Sequence, residues 1–229
     1  MEVWINGKDY IINEKIGEGA HGSVFRADSK TNNQSLALKI MQNKQQEIDI
    51  IEEMQTNIGF PKVISRFKEN DYECVAMTLF GMNLKILKSI NQGCLGLNTV
   101  LNIFYQCLER LECLHNNGYI HCDIKPENIM LGRKKNYKTI YLIDFSLSEK
   151  YVDKDGEILE EPAHSVFKGS ISFWSRNVLN GHYPCRADDL ESLLYAMMFI
   201  LKGQLPWLPR ADMKFEDAKE KKDYVIKQK

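Results

Sequence analysis

Four polar side chains in the middle of the chain have the types and spacing that magnesium-dependent phosphoryl transfer requires. Asp123, Lys125 and Asn128 lie in one short segment, and Asp144 follows the next apolar run. A carboxylate such as Asp123 can orient or accept the proton of an attacking hydroxyl, and an amine such as Lys125 can neutralise charge on the transferred group. Asn128 and Asp144 offer oxygen ligands of the kind that magnesium prefers. We therefore predict Asp123, Lys125 and Asn128 as catalytic residues, and Asn128 and Asp144 as metal ligands.

A solvated loop is the simple alternative for this polar segment. The segment stands, however, between a long apolar helix pattern and the apolar run 129–131. A solvated loop explains neither that context nor the order of the polar residues, so the catalytic interpretation is favoured.

A glycine-rich stretch nearer the start of the chain has the pattern G-x-G-x-x-G-x-V. Plain hairpins and dinucleotide-binding units share such patterns. A dinucleotide-binding unit needs a helix after the third glycine, whereas residues 23–27 have a strand pattern. A strand, turn and strand could instead close over phosphates, because glycine lets the backbone approach closely, and a plain hairpin stays open as the alternative. The predicted phosphate-binding stretch comprises Ile16, Gly17, Glu18, Gly19, Ala20, His21, Gly22, Ser23 and Val24.

Lys39 is the one lysine in the otherwise apolar strand pattern 36–40. It could simply lie at a sheet edge and reach water. The functional interpretation is a cation that contacts the α- and β-phosphates and is held by a carboxylate of the neighbouring helix. We assign that carboxylate to Glu47, because apolar residues that would face the core lie beside it. Glu52 and Glu53 are interpreted as part of a solvated face.

The elements that must position these residues fall into two groups, which differ in the spacing of their apolar residues. Up to about residue 78 the pattern predicts strands at 10–16, 23–27, 36–41, 62–67 and 72–78, with one helix at 45–55. From residue 81 onward the period is helical. A long helix should start at a cap on Asn98 or Thr99, end near Asn117 and Gly118, and lead to the catalytic segment. A second helix, 189–202, is apolar on almost every side and should be buried.

Composition and charge favour an intracellular globular protein. The chain has 229 residues, 44% of them hydrophobic, and a formal net charge of -1, which gives no argument for nucleic-acid or membrane partners. Its six cysteines form no C-x-x-C pair and are interpreted as free thiols. No signal peptide and no apolar run of membrane-spanning length is present, so we expect a cytoplasmic or nuclear location.

Taken together, these motifs resemble the eukaryotic protein kinases over nearly the whole chain. Within them the sequence is most similar to the casein kinase I family and its relatives, including the vaccinia-related kinases. The segments that carry the resemblance are 59–63, 79–84, 121–128, 168–170, 175–177, 186–193 and 202–207.

The resemblance implies an α+β, two-lobed fold that binds ATP and Mg²⁺ between the lobes. The kinase domain would cover residues 1–229, with an N-lobe at 1–80 and a C-lobe at 81–229 that ends early relative to the family. The implied partners are protein substrates, whose serine or threonine hydroxyls would accept phosphate, and the protein would be a monomer. By the same likeness, Asp189 would anchor the catalytic loop. The residues around adenine would be the gatekeeper Met77, the hinge residues Thr78, Leu79 and Phe80, and the apolar side chains of Ile16, Val24, Ala37 and Met130.

Three positions depart from the family pattern. Cys122 replaces the arginine that pairs with a phosphate on the activation segment, which predicts a site that does not wait for phosphorylation. Ser146 replaces the glycine of D-F-G and should restrict flips of Asp144 and Phe145, because a Cβ disfavours positive φ. The segment 169–172 lacks the basic residue with which casein kinase I enzymes hold phosphorylated substrates, so both primed or acidic and basic substrates stay possible.

Three functions are compatible with the sequence. The first is an active serine/threonine protein kinase. The second is a pseudokinase that binds nucleotide or partners as a scaffold, which Ser146 favours and the intact Lys39, Asp123, Asn128 and Asp144 oppose. The third is a small-molecule kinase of similar fold, which the protein-kinase-like segment 169–193 disfavours.

Overall fold

The computed structural model describes residues 9–19, 22–42, 45–160, 169–208 and 218–229. A five-stranded antiparallel sheet forms the first part of the chain, with strand order β1-β2-β3-β5-β4. Its strands are β1 (Tyr10–Gly19), β2 (Gly22–Ser29), β3 (Ser35–Met41), β4 (Val63–Glu69) and β5 (Tyr72–Met77), and helix α1 (Gln45–Met54) lies between β3 and β4. This confirms the predicted strands and helix. The main difference is that β1 continues to Gly19.

The remainder of the chain is mostly helical. Its helices are α2 (Leu84–Ile90), α3 (Leu97–Asn116), α4 (Arg176–Leu179), α5 (Arg186–Lys202) and α6 (Ala218–Gln228). Two short antiparallel ladders lie among them, formed by β6 (Tyr119–Ile120) with β9 (Glu149–Lys150) and by β7 (Ile129–Leu131) with β8 (Ile140–Leu142). Within the described residues, no helix combines the length and the apolarity that crossing a membrane requires.

One apolar core joins the sheet to the helical part. It includes Met77 of β5, Ile48 of α1, Leu111 of α3 and Ile200 of α5, all of which are buried. A smaller cluster covers the other face of the sheet around Tyr10 and Leu38. Strands backed by one helix and followed by a helical part confirm the predicted α+β fold.

The predicted cap of α3 is wrong. The helix begins at Leu97 with Gly96 as its N-cap, and Asn98 and Thr99 lie inside the first turn. The Val100 amide donates to the Gly96 carbonyl at 3.1 Å, so the first helical hydrogen bond forms before either expected cap. The predicted end is confirmed, with Asn117 as the C-cap and Gly118 at φ 83°.

Helix α5 also differs from its prediction. It begins at Arg186, earlier than expected, and it is not buried on every side. Leu193 and Ile200 are fully buried, whereas Leu194 is 50% exposed and Met198 is 43% exposed. Residues four apart share one helix face, so the apolar sequence covers both a core face and an outward face.

Candidate active site

A cleft of about 1000 Å³ lies between the sheet and the helical part. Nearly all the residues predicted from the sequence line it. They are Ile16, Gly17, Glu18, Gly19, Gly22, Val24, Ala37, Lys39, Glu47, Met77, Thr78, Leu79, Asp123, Lys125, Asn128, Met130 and Asp144. Ser23 is not part of this lining, because successive side chains of β2 point to opposite faces of the sheet. Ala20 and His21 lie outside the described residues.

The glycine-rich stretch forms the β1–β2 hairpin that covers the cleft. Gly17 pairs with Val24, and Gly19 pairs with Gly22. Gly22 has φ 150°, and a Cβ there would lie 2.2 Å from the Ile40 carbonyl oxygen, so the position requires glycine. The chain continues as a strand after Gly22, which excludes the dinucleotide-binding arrangement of strand, glycine turn and helix.

Lys39 projects from β3 and stands between two carboxylates. Its Nζ donates to Oε1 of Glu47 on α1 and lies 3.6 Å from Oδ1 of Asp144. The second oxygen of Glu47, Oε2, is buried and has no hydrogen-bond partner within the described residues. The edge-lysine alternative is therefore wrong, because β3 lies inside the sheet and the Lys39 side chain is only 12% exposed.

The polar segment after β6 forms one hydrogen-bonded group around Asp123. Lys125 Nζ lies 2.5 Å from Asp123 Oδ2 and donates to Ser170 Oγ at 3.0 Å. Asn128 Nδ2 donates to the Asp123 carbonyl at 2.9 Å and to Oδ2 at 3.1 Å. The Ser170 amide donates to Asp123 Oδ1 at 2.9 Å. The structure thus brings the three predicted catalytic residues together, and adds Ser170.

The carboxylate of Asp189, in the first turn of α5, holds the backbone of this loop in place. It accepts hydrogen bonds from the amides of His121 at 2.8 Å and Cys122 at 3.0 Å, and from the His115 ring at 2.9 Å. Cys122 has φ 64°, a left-handed conformation that is unfavourable for a residue with a side chain. The hydrogen bonds that these two adjacent amides donate to one buried carboxylate hold the loop in this conformation.

Asp144 and Phe145 point in different directions after β8. Asp144 has φ 66° and lines the cleft, whereas Phe145 is buried, with its ring 6.1 Å from that of Phe60 and 5.2 Å from that of His121. Burial alone would raise the pKa of Asp144, but the Lys39 ammonium and a hydrogen bond from the Ser146 side chain lower it, and its pKa lies below the ordinary value. The carboxylate is therefore ionised near neutral pH.

A family model of the protein kinase domain matches residues 10–228. The chain belongs to the protein kinase family. The match covers almost the whole sequence, so the family supports a phosphotransferase that acts on protein substrates. The cleft of this kinase domain is the place where family members bind ATP.

The residues of the cleft fit ATP and Mg²⁺. Lys39 could contact phosphates and the side chains of Asn128 and Asp144 could hold the metal, while Ile16, Val24, Ala37 and Met130 line the same cleft with apolar surface. Within the part of the chain that the structure describes, no group of three or more His, Cys, Asp or Glu side chains could hold a metal. A site of two protein ligands suits magnesium, which usually takes its remaining ligands from phosphates and water.

The hinge of the kinase domain uses only part of its backbone for internal bonds. The Thr78 amide donates to the Lys62 carbonyl at 3.0 Å, and the Gly81 amide donates to the Leu131 carbonyl at 2.8 Å. Between them, the Leu79 amide forms no hydrogen bond with the described residues. The Phe80 amide likewise forms none, and both residues line the cleft. The backbone of Leu79 and Phe80 is therefore the part of the hinge that could meet a ligand.

Sequence reasoning missed two groups around the site. Ser170 was noted for the family resemblance of its segment and for the basic residue that the segment lacks, but it was not assigned to the site, although Gly169 before it is a usable signal. Gly169 has φ 87°, and a Cβ there would lie 2.5 Å from the Cys122 carbonyl oxygen. Glu53 was assigned to a solvated face, yet its carboxylate accepts a hydrogen bond from Tyr119 at 2.9 Å. No local sequence signal indicates that contact, because the two residues are far apart in the chain.

The structure shows the backbone conformation at Ser146, while the predicted restriction of flips stays a prediction. Ser146 was expected to restrict flips because positive φ would be costly at this position. The structure has positive φ at Asp144 and not at Ser146. Ser146 therefore carries no backbone strain in this state, and its hydroxyl adds a hydrogen bond to Asp144.

Proposed function

We propose that the chain is an active serine/threonine protein kinase of the casein kinase I type. It would transfer the γ-phosphoryl group of ATP to serine or threonine hydroxyls of proteins. The observation that carries this proposal is the group around Asp123, in which Lys125, Asn128 and Ser170 all bind the same carboxylate. A structural loop would not need an ammonium, an amide and a backbone N–H on one carboxylate that faces a cleft.

Each residue has a role that follows from its contacts. Asp123 would orient the acceptor hydroxyl and take its proton, because its oxygens are held in place by three donors. Lys125, which bridges Asp123 and Ser170, would neutralise the phosphoryl oxygens during transfer. Lys39 would bind the α- and β-phosphates while Glu47 keeps it in place.

The metal would be held by Asn128 and Asp144. When bound, Mg²⁺ would neutralise charge on the phosphates and orient them for displacement. Asp144 suits this role because its pKa lies below the ordinary value. The backbone of the hinge residues Leu79 and Phe80 and the apolar side chains around them would hold the adenine.

Serine/threonine specificity and the casein kinase I likeness rest on the sequence pattern. Lys125 matches the loop pattern of serine/threonine kinases, and segments 186–193 and 202–207 match the casein kinase I branch. We further propose that activity does not require phosphorylation of the activation segment. The β6–β9 ladder, the hydrogen bond from Tyr151 to the His115 carbonyl at 2.6 Å and the stacking of Arg186 on Tyr151 support this, because they anchor residues 149–151 of that segment without a phosphate.

A transfer assay with radiolabelled ATP tests the proposal. Wild-type protein should label casein or itself on serine or threonine, as phosphoamino-acid analysis would show, and Asp123→Asn should abolish the label. Prior phosphatase treatment should leave the rate unchanged. A wild-type signal no larger than that of Asp123→Asn would favour the pseudokinase scaffold, and label on tyrosine alone would refute the specificity.

A further inference from the structure

Helix α1 carries Glu47, so its position decides whether Lys39 is held in the cleft. Besides the apolar packing of α1 and the Glu47 pair, the described residues show three side-chain hydrogen bonds from α1 to other elements, near its two ends. At its start, Arg66 of β4 donates to Gln45, and Gln46 donates to the Ser148 carbonyl at 3.1 Å. Near its end, Glu53 accepts the Tyr119 hydroxyl at 2.9 Å. Two of these contacts reach beyond the sheet, to the segments on either side of the catalytic loop and Asp144.

Tyr119 occupies a junction of three elements. It belongs to β6, which leads directly into the catalytic loop, and its backbone pairs with Lys150 of β9 in the activation segment. The Lys150 ammonium lies 5.6 Å from the centre of the Tyr119 ring. The residue is buried, and its hydroxyl donates to Glu53 of α1. A movement of α1 away from the cleft would therefore break the bond from Tyr119.

The hydroxyl of Tyr119 is a dependable donor. Burial, and then the hydrogen bond to the Glu53 carboxylate, raise the pKa of Tyr119 to about 12. The phenol thus stays protonated at physiological pH and always has a proton to donate. Glu53 lies on the exposed side of α1, and among the described residues this hydrogen bond is what connects it to the catalytic loop segment.

We propose that Tyr119 and Glu53 are positioning residues, whose hydrogen bond holds α1 inward so that Glu47 stays paired with Lys39. The contact between Gln46 and the Ser148 carbonyl acts in the same direction at the other end of the helix. This inference rests on the proposed kinase function for its effect on transfer. It implies that unmodified side chains, and not a phosphate, fix the catalytic position of the helix.

The test compares Tyr119→Phe, Glu53→Ala and the double variant with wild type. Loss of one hydrogen bond from the inward position should lower kcat/KM for ATP by about 3- to 10-fold in each single variant, with melting temperatures within about 2 °C of wild type. The double variant should be no worse than either single variant, because both remove the same bond. Glu53→Gln should restore most of the activity, because its amide oxygen still accepts from the tyrosine.

Matched controls separate this role from general stability. Tyr105→Phe removes an exposed hydroxyl from α3, and Glu52→Gln changes the exposed neighbour of Glu53, so both should behave as wild type. Additive losses in the double variant, or equal losses in the controls, would overturn the proposal.

Hydrogen exchange of the α1 amides gives a measurement that does not depend on transfer. Exchange should be faster in Tyr119→Phe and Glu53→Ala and unchanged in Glu53→Gln and both controls. Equal exchange in wild type and both single variants would refute the positioning role. If wild type fails to transfer phosphate, the proposed function is wrong, and the exchange result still decides whether this bond holds the helix.

Discussion

Replacement of Glu47 by glutamine should disable the cleft and also destabilise the protein. The substitution keeps the volume of the side chain and removes its charge. Glu47 is 2% exposed and Lys39 is 12% exposed, so their ion pair is shielded from water. In the variant an amide oxygen could still accept from Lys39, but the negative charge beside the ammonium would be lost, and the carboxylate left near it would be that of Asp144, whose Oδ1 lies 3.6 Å away. The ammonium would then be drawn toward the carboxylate that is proposed to hold the metal.

The magnitude follows from the burial of the pair. Removal of one partner from a buried ion pair costs about 3–5 kcal/mol, and the remaining contact with Asp144 argues for the lower end, about 3 kcal/mol. For a domain of this size, about 3 kcal/mol corresponds to a fall in melting temperature of roughly 6–12 °C. If the same free energy is lost from the transition state, kcat/KM should fall on the order of 100-fold.

Thermal unfolding and steady-state kinetics measure the two effects on one preparation. Glu52→Gln is the matched control, because it removes an exposed charge from the same helix and should change neither quantity. A Glu47→Gln protein that melts within about 2 °C of wild type, with kcat/KM within about threefold, would refute the reasoning that this buried pair positions Lys39.

Three further substitutions test other parts of the site and the sheet. Ser146→Gly removes one hydrogen bond to Asp144 and makes a left-handed backbone less costly at residue 146. Calorimetry should therefore show roughly fivefold tighter binding of inhibitors that require the segment 144–146 to be flipped outward. Unchanged affinity would count against that role of Ser146. Gly169→Ala places a Cβ 2.5 Å from a catalytic-loop carbonyl at φ 87°, so both the melting temperature and the transfer rate should fall, and wild-type values for both would contradict the steric argument. The hydrogen bond from Arg66 holds the pKa of Glu73 below its ordinary 4.5, so the pair stabilises the fold above pH 4.5 and this stabilisation is lost as the pH falls through the lowered pKa. Glu73→Gln should therefore lose less melting temperature than wild type between roughly pH 5 and pH 3. Identical pH profiles for the two proteins would contradict this.

The sheet was predictable because its signals are local. Each predicted strand is a short run of strand-forming residues between turn residues, and the structure confirms all five. The chemistry of the cleft was also visible, because Asp123, Lys125 and Asn128 occupy one short segment. Their assembly in the cleft with Asp144 and Lys39 follows from the order of the elements around them.

The predictions that failed concern features that depend on contacts with other parts of the fold. Thr99 is a good cap by type, but the helix starts earlier because its first hydrogen bond already forms at Gly96. The run of apolar residues in α5 suggested full burial, whereas among the described residues one face of that helix is packed and Leu194 on another is exposed. Glu53 was indistinguishable from the exposed Glu52 beside it, because its partner Tyr119 lies 66 residues away in the sequence.

The central claim is that this cleft transfers phosphate by means of Asp123. The most direct measurement pairs ATP binding with label transfer for wild type and Asp123→Asn. We predict that both proteins bind ATP and Mg²⁺ with similar affinity, and that only wild type transfers the γ-phosphate to serine or threonine. Equal labelling by the two proteins, or ATP binding by wild type without any transfer, would contradict the account.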